Sequence, residues 1–332
     1  MRLKIFFLFL ISLLIGIGLF FLIIKFVGWQ EIKKPLLVFR GWQGLVILGF
    51  TFLEVLIATW RWQEILKRNQ LKIPFFELFK IYLAGSSITY LAPVLFGAGE
   101  VFRGYSLKEK QKINFSKTMA SVILEKILDW TDNLVVIFFG VLFFIYKMIL
   151  PPKNLWIIFG SGFLFFTAMI CLFYFKAFKR ESMTKVFIRI FNHQIDSKPL
   201  EIEEEIFNFF KPPRKSLWGN FCLAFFGSFV SYLKFGFLLS FLGKGILPLA
   251  TLSILASDYL ATITPIPTAL GSRETIQTFI FEALNIGAPT AIAFTTIVRV
   301  AELILALIGI TIFLRSGISL FKNTLNNKIE KQ

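Results

Sequence analysis

The 332-residue chain is 56% hydrophobic, carries 36 Lys and Arg against 20 Asp and Glu, and has a mean hydropathy of +0.72. Apolar runs of about 20 residues, the length that crosses the hydrocarbon of a bilayer, recur from end to end and exclude an ordinary soluble domain. Two cysteines and one histidine, His193, exclude a disulfide framework and a Cys/His metal cluster. The net charge of +16 lies between the apolar runs, where it matches the positive-inside bias rather than a nucleic-acid surface.

In chain order, the first run, Ile5 to Val27, follows a short basic start (Arg2, Lys4) and reads as a retained span, since it is long for a signal peptide and no A-x-A site follows. Further spans are expected over Gly44 to Leu66, Lys117 to Tyr146, Leu155 to Phe175, Leu217 to Leu242 and Pro289 to Leu314. Two segments are shorter and broken. Phe75 to Leu107 is interrupted at Pro93, Gly97 and Gly99, and Pro248 to Asn285 is interrupted at Pro265, Pro267 and Gly271. The connector 176–215 is basic and cytoplasmic in this reading, with "MTKVFIRIFNHQI" inside it as a candidate amphipathic helix on the inner leaflet or a plain solvated connector.

The Lys/Arg bias indicates how the broken segments run. If both enter and leave on one side, the inner pieces hold 22 Lys and Arg and the outer pieces 7; if each crosses once, the inner pieces hold 12 and the outer 17. The chain therefore reads as re-entrant at both places, with N- and C-termini in the cytoplasm. A shift of 174 residues lays Pro93 on Pro267, Gly97 on Gly271 and Glu100 on Glu274, so 44–146 and 218–314 read as two copies of one unit in opposite orientation.

Charges inside the membrane cost about 2.5–3.5 kcal/mol each even on lenient insertion scales, so they face protein or water. They concentrate at the two breaks and on the helix after each. Glu100 and Arg103 share a face, as do Glu125, Asp129 and Asp132 on the next span, with Lys126 to one side; Arg273 and Glu274 follow Gly271, and Arg299 and Glu302 stand one turn apart on the last span. A broken helix in lipid frees backbone N–H and C=O groups, and the start of a half-helix favours an anion. The candidate substrate-binding set is accordingly Glu100, Arg103, Glu125, Lys126, Asp129, Arg273, Glu274, Arg299 and Glu302, gathered in a wet pocket between the repeats. The alternative is that these charges only neutralise one another and pin the repeats together. Arg61, between Trp60 and Trp62, reads as an interfacial anchor, and Glu54 as a weaker member of the polar set. "GAGEVFRG" lacks the G-x-G-x-x-G spacing, and no G-x-x-x-x-G-K-[ST] motif is present, so no nucleotide cofactor is implied.

These motifs resemble the lysylphosphatidylglycerol synthase transmembrane region family, also called flippase-like domain proteins. Its Pro, Gly, acid and Arg pattern is matched by Pro93, Gly97, Glu100 and Arg103, its basic-acidic helix by "VILEKILDW", and its late Pro/Gly stretch and final Arg by "PIPTALGSRE" and Arg299. The likeness covers essentially the whole chain. Lys126 stands where the family often has Arg, and the second break has a single Gly where relatives are often richer. In larger relatives this region moves aminoacylated phosphatidylglycerol between leaflets and a soluble domain makes it. The chain ends at Gln332, so the resemblance implies translocation without synthesis.

The expectation is an all-α polytopic helical bundle of the cytoplasmic membrane, a single domain over 1–332, with two re-entrant hairpins in an inverted repeat. Its expected function is movement of a phospholipid or lipid-linked headgroup, most simply an anionic one, with no metal and no cofactor. A lipid-modifying enzyme using the carboxylates, or a non-catalytic partner of a cell-envelope synthase or glycosyltransferase, are the other readings. A homodimer and a separately encoded synthase are compatible with each.

Overall fold

The computed structural model describes residues 25, 27–91, 97–146, 153–182, 184, 198–211, 215–245, 248–262 and 270–329, and those residues form helices and turns with no strand. Eleven helices follow one another among them: α1 (Trp29–Val38), α2 (Gly41–Arg68), α3 (Phe75–Leu91), α4 (Ala98–Gln111), α5 (Phe115–Tyr146), α6 (Lys153–Lys179), α7 (Lys198–Phe209), α8 (Lys215–Phe241), α9 (Pro248–Thr262), α10 (Ser272–Ala283) and α11 (Ala288–Ile329). Pro93, Pro265, Pro267, His193, most of Ile5 to Val27 and most of "MTKVFIRIFNHQI" lie outside the described residues.

Among the described residues three stretches are long and apolar enough to cross a membrane: Gly41–Arg68, Leu217–Phe241 and Ala288–Arg315. Helix α5, at 32 residues, is about 48 Å long and also has the reach, though it carries Glu125, Lys126, Asp129 and Asp132. Large apolar side chains face outward along these helices and along α6, among them Leu45, Phe165, Trp218, Phe229 and Leu307. Bilayer hydrocarbon is the solvent that makes such a surface stable.

Helices α3, α4, α9 and α10 have 17, 14, 15 and 12 residues, each below the roughly 20 needed for a full crossing. The second helix of each short pair starts in the same way. Gly97 (φ 75°) and Gly271 (φ 79°) take the left-handed side of backbone space at the N-caps of α4 and α10, where a Cβ is penalised. An acid sits three residues on in each, Glu100 and Glu274. The starts of α2, α3, α4 and α5 recur as the starts of α8, α9, α10 and α11 after 173 or 174 residues. Packing recurs too, since α3 lies on α11, α9 lies on α5, and α2 lies on α8.

Two elements have no counterpart in the sequence reading. Helix α1 occupies part of the expected outer loop and packs on α11, and α7 lies within the basic connector and packs on α5 through Ile206 and Phe209. Arg68 ties the C-terminal end of α2 to that connector by donating to the carbonyl of Phe209 at 2.7 Å.

Glycine sets two of these crossings, α3 on α11 and α9 on α5. A Cβ on Gly309 of α11 would overlap the carbonyl of Leu83 and the hydroxyl of Ser87 on α3, and a Cβ on Gly140 of α5 would overlap Ala256 on α9. Backbones approach this closely in membranes because packing, rather than expulsion of water, drives helix association. Gly309→Ala is therefore expected to lower stability by about 1–3 kcal/mol, as overpacked sites do, read as a reduced Tm in detergent. Gly160, which meets nothing nearby, is the control, expected to tolerate Ala unchanged.

Candidate functional site

The first cluster joins α2, α4 and α5. Glu125 of α5 is bound on both oxygens, by Arg61 Nη2 at 2.5 Å and by Arg103 Nη1 at 2.9 Å. Arg61 reaches Asp129 as well, at 3.1 Å. The Arg103 guanidinium lies 4.3 Å from the ring centroids of both Trp62 and Tyr82, a stacking geometry that suits a weakly hydrated planar cation. Arg61, Arg103 and Glu125 are 4%, 4% and 1% exposed, so Arg103 and Glu125 are sealed and Arg61 keeps only an edge free. Lys126 stands outside it, 3.8 Å from Glu100 and 3.6 Å from Asp129.

The second cluster joins α9, α10 and α11. Arg299 grips Glu274 with both terminal nitrogens, and the same carboxylate accepts the Gly271 backbone N–H at 2.8 Å, capping α10. The anion expected at this half-helix start is thus the protein's own carboxylate. Arg273 bridges Glu302 at 2.7 Å and Asp258 at 2.8 Å. Between the clusters, Lys234 of α8 pairs with Glu54 of α2 at 2.7 Å, and Ser231 donates to Glu54 at 2.6 Å.

A cavity of about 330 Å³ lies where these groups meet. Glu54 and Arg61 line it from α2, Asp129 and Asp132 from α5, Lys234 from α8, Asp258 from α9, Arg273 from α10 and Glu302 from α11, with Tyr82 and Ser86 of α3 and Thr262 at the end of α9. These positions fall mid-way along the long helices and at the tips of α9 and α10. The Asp129 side chain is still 36% exposed and that of Glu54 21%, so the cavity opens outward.

The cavity brings together three of the nine expected binding residues, Asp129, Arg273 and Glu302. Arg103 with Glu125, and Glu274 with Arg299, form two separate buried pairs that do not line it, and neither do Glu100 and Lys126. The expectation of one wet pocket holding Arg103, Glu125, Glu274 and Arg299 is corrected accordingly: burial leaves each of these charges no cheaper partner than the opposite charge beside it. Arg61 is likewise not an interfacial anchor but a buried partner of Glu125. Lys234, Asp258 and Tyr259 were missed. Lys234 and Asp258 each stand alone in an apolar segment, which was the available signal. Glycines 97, 99 and 271 sit at the starts of α4 and α10; a Cβ on Gly99 would overlap the carbonyl of Gly85, which locks α4 against α3. Among the described residues no group of three His, Cys, Asp or Glu is placed to hold a metal ion.

The model of the lysylphosphatidylglycerol synthase TM region family matches residues 9–309. The chain belongs to that family. Similar proteins include the UPF0104 membrane protein MJ1595 of Methanocaldococcus jannaschii, 25% identical over 311 residues that cover 89% of this chain and 90% of the relative. The UPF0104 membrane protein PH1989 of Pyrococcus horikoshii is 22% identical over 308 residues, covering 86% and 90%. No solved structure matches. As a member of this family the chain is a membrane protein, and the break motifs, the "VILEKILDW" helix and Arg299 all fall inside the matched range.

Proposed function

We propose that this family member moves a lipid headgroup between leaflets through the cavity, with α3–α4 and α9–α10 acting as re-entrant hairpins of two inverted repeats. One observation carries the reading: a cavity at mid-helix level, lined from both halves by eight side chains of Asp, Glu, Lys or Arg, opens outward in a protein whose outer surface is apolar. Lipid tails have no use for such a lining, whereas a polar headgroup passing through the bilayer does. The recurring helix starts, the reciprocal packing of α3 on α11 and α9 on α5, and the charge bias of the connectors support the repeats being opposed.

The lining favours a headgroup with both signs of charge. Five carboxylates face three cations, so a purely anionic group enters a cavity that already repels it. Lys234 gives one hydrogen bond among the described residues, to Glu54, and its ammonium has three donors, which leaves it able to take a phosphate oxygen. A headgroup with a phosphate and an amine satisfies both ends of this lining. The family name fits such a substrate. The buried pairs Arg103–Glu125 and Glu274–Arg299 serve as struts that hold each hairpin to the helix after it.

The test is a leaflet-resolved assay in liposomes, using fluorescent phosphatidylethanolamine and phosphatidylglycerol. Purified protein should speed movement of the amine-bearing lipid above that in empty vesicles, and more than that of phosphatidylglycerol. Equal rates with and without protein, for every lipid and gradient tried, would end the proposal.

A further inference from the structure

Of the five cavity carboxylates, four have a cation beside them. Glu54 has Lys234, Asp129 has Arg61 and Lys126, and Asp258 and Glu302 share Arg273. Asp132 is the exception among the described residues. It is 4% exposed, it lines the cavity, and its Oδ1 has no hydrogen-bond partner. Its other oxygen, Oδ2, accepts from the Ser228 hydroxyl on α8, which in turn lies 2.8 Å from the Tyr259 hydroxyl on α9. Since the Ser228 hydrogen is committed to Asp132, Tyr259 is the donor to Ser228, and the chain Tyr259 to Ser228 to Asp132 points its hydrogens at the carboxylate.

We infer that Asp132 is the proton-carrying carboxylate of the transport cycle: the empty cavity holds it protonated on Oδ1, and it releases that proton to the cavity water when a cationic headgroup arrives. The inference rests on the translocation reading for its place in a cycle. An ionised carboxylate without a counter-charge is costly in a protein interior and costlier in a membrane, so a positive charge must accompany it whenever the cavity closes. A proton on Oδ1 supplies that charge without disturbing any existing bond, because Oδ2 keeps its bond from Ser228. One free oxygen is a proton acceptor, not the many-oxygen shell that a hard metal cation needs.

The groups that surround Asp132 are otherwise engaged. On α5 itself Asp129 is bound to Arg61 of α2, and on α4 Arg103 and Glu100 face Glu125 and Lys126. Lys234 on α8 is held by Glu54, Asp258 on α9 by Arg273, and Tyr174 on α6 lies against Thr131. Glu201, on α7, accepts from Ser116 at the other end of α5. The acids at the starts of α4 and α10, Glu100 and Glu274, have Lys126 and Arg299 as partners.

The experiment measures amine-lipid movement in proteoliposomes with and without an imposed pH difference, for wild type, Asp132→Asn and Asp132→Glu. With one proton exchanged per lipid, each pH unit displaces the steady-state leaflet ratio of the wild type by about tenfold. The Asn variant loses the displacement and the Glu variant keeps it. A wild-type-like displacement in Asp132→Asn, or one that follows a sodium gradient instead, overturns the inference while leaving translocation standing. Infrared difference spectra between acidic and alkaline buffer give a readout that needs no transport: a carboxyl C=O band present in the wild type and lost in Asp132→Asn is expected. Retention of that band in the Asn variant overturns the inference even where the variant moves no lipid, and vesicles in which wild type moves nothing count against translocation alone.

Discussion

Glu125→Gln is expected to be the most destabilising single polar change in the protein, lowering stability by about 3–5 kcal/mol, the usual cost of removing one partner from a buried ion pair. Glutamine presents one acceptor oxygen where two are used, and its NH2 group would face whichever guanidinium lost its oxygen. Arg103, 4% exposed and outside the cavity lining, cannot turn to water instead. The measurement is thermal unfolding in detergent, with Asp129→Asn beside it; that side chain is 36% exposed and its loss should cost no more than about 1 kcal/mol. Changing Arg103 to Gln in the Glu125→Gln background should recover part of the loss, because an unpaired charge is then removed rather than created. A Tm for Glu125→Gln equal to the wild type would show that the triad is not a strut.

Lys234→Gln is expected to produce the largest loss of transport for the smallest loss of fold. A charge-assisted hydrogen bond is worth about 1.5–3 kcal/mol, so removing the ammonium proposed to take the headgroup phosphate should slow lipid movement about 10- to 100-fold. The change also leaves Glu54 without its cation, and the double variant Glu54→Gln, Lys234→Gln separates the two effects. Thermal stability should return towards wild type in the double variant, whereas transport should not. Recovery of both would make the pair a structural link between α2 and α8 and take the phosphate contact out of the proposal.

The break motifs were legible because their cause is local. Gly97 and Gly271 stand where a short helix must begin from left-handed backbone, and a glycine followed three residues later by an acid is readable as a helix start in any context. The charge face of α5 was readable for the same reason, since Glu125, Asp129 and Asp132 are one turn apart. What could not be read was which opposite charge each would meet. Arg61 looked like an anchor because its neighbours are Trp60 and Trp62, yet Trp62 is fully buried and stacks on Arg103.

The sequence by itself determined the solvent of this protein, its helical class and the places where its short helices α4 and α10 start, because hydropathy, backbone sterics and helical period act over a few residues at a time. Only the tertiary structure decided which charges are sealed and which face the cavity. Arg103, Glu125, Glu274 and Arg299 were drawn into closed pairs, while Lys234, Asp258 and Asp132 were left lining the open space. That division depends on contacts between residues as far apart in the chain as Glu54 and Lys234, and on a dielectric that exists only once the helices have packed.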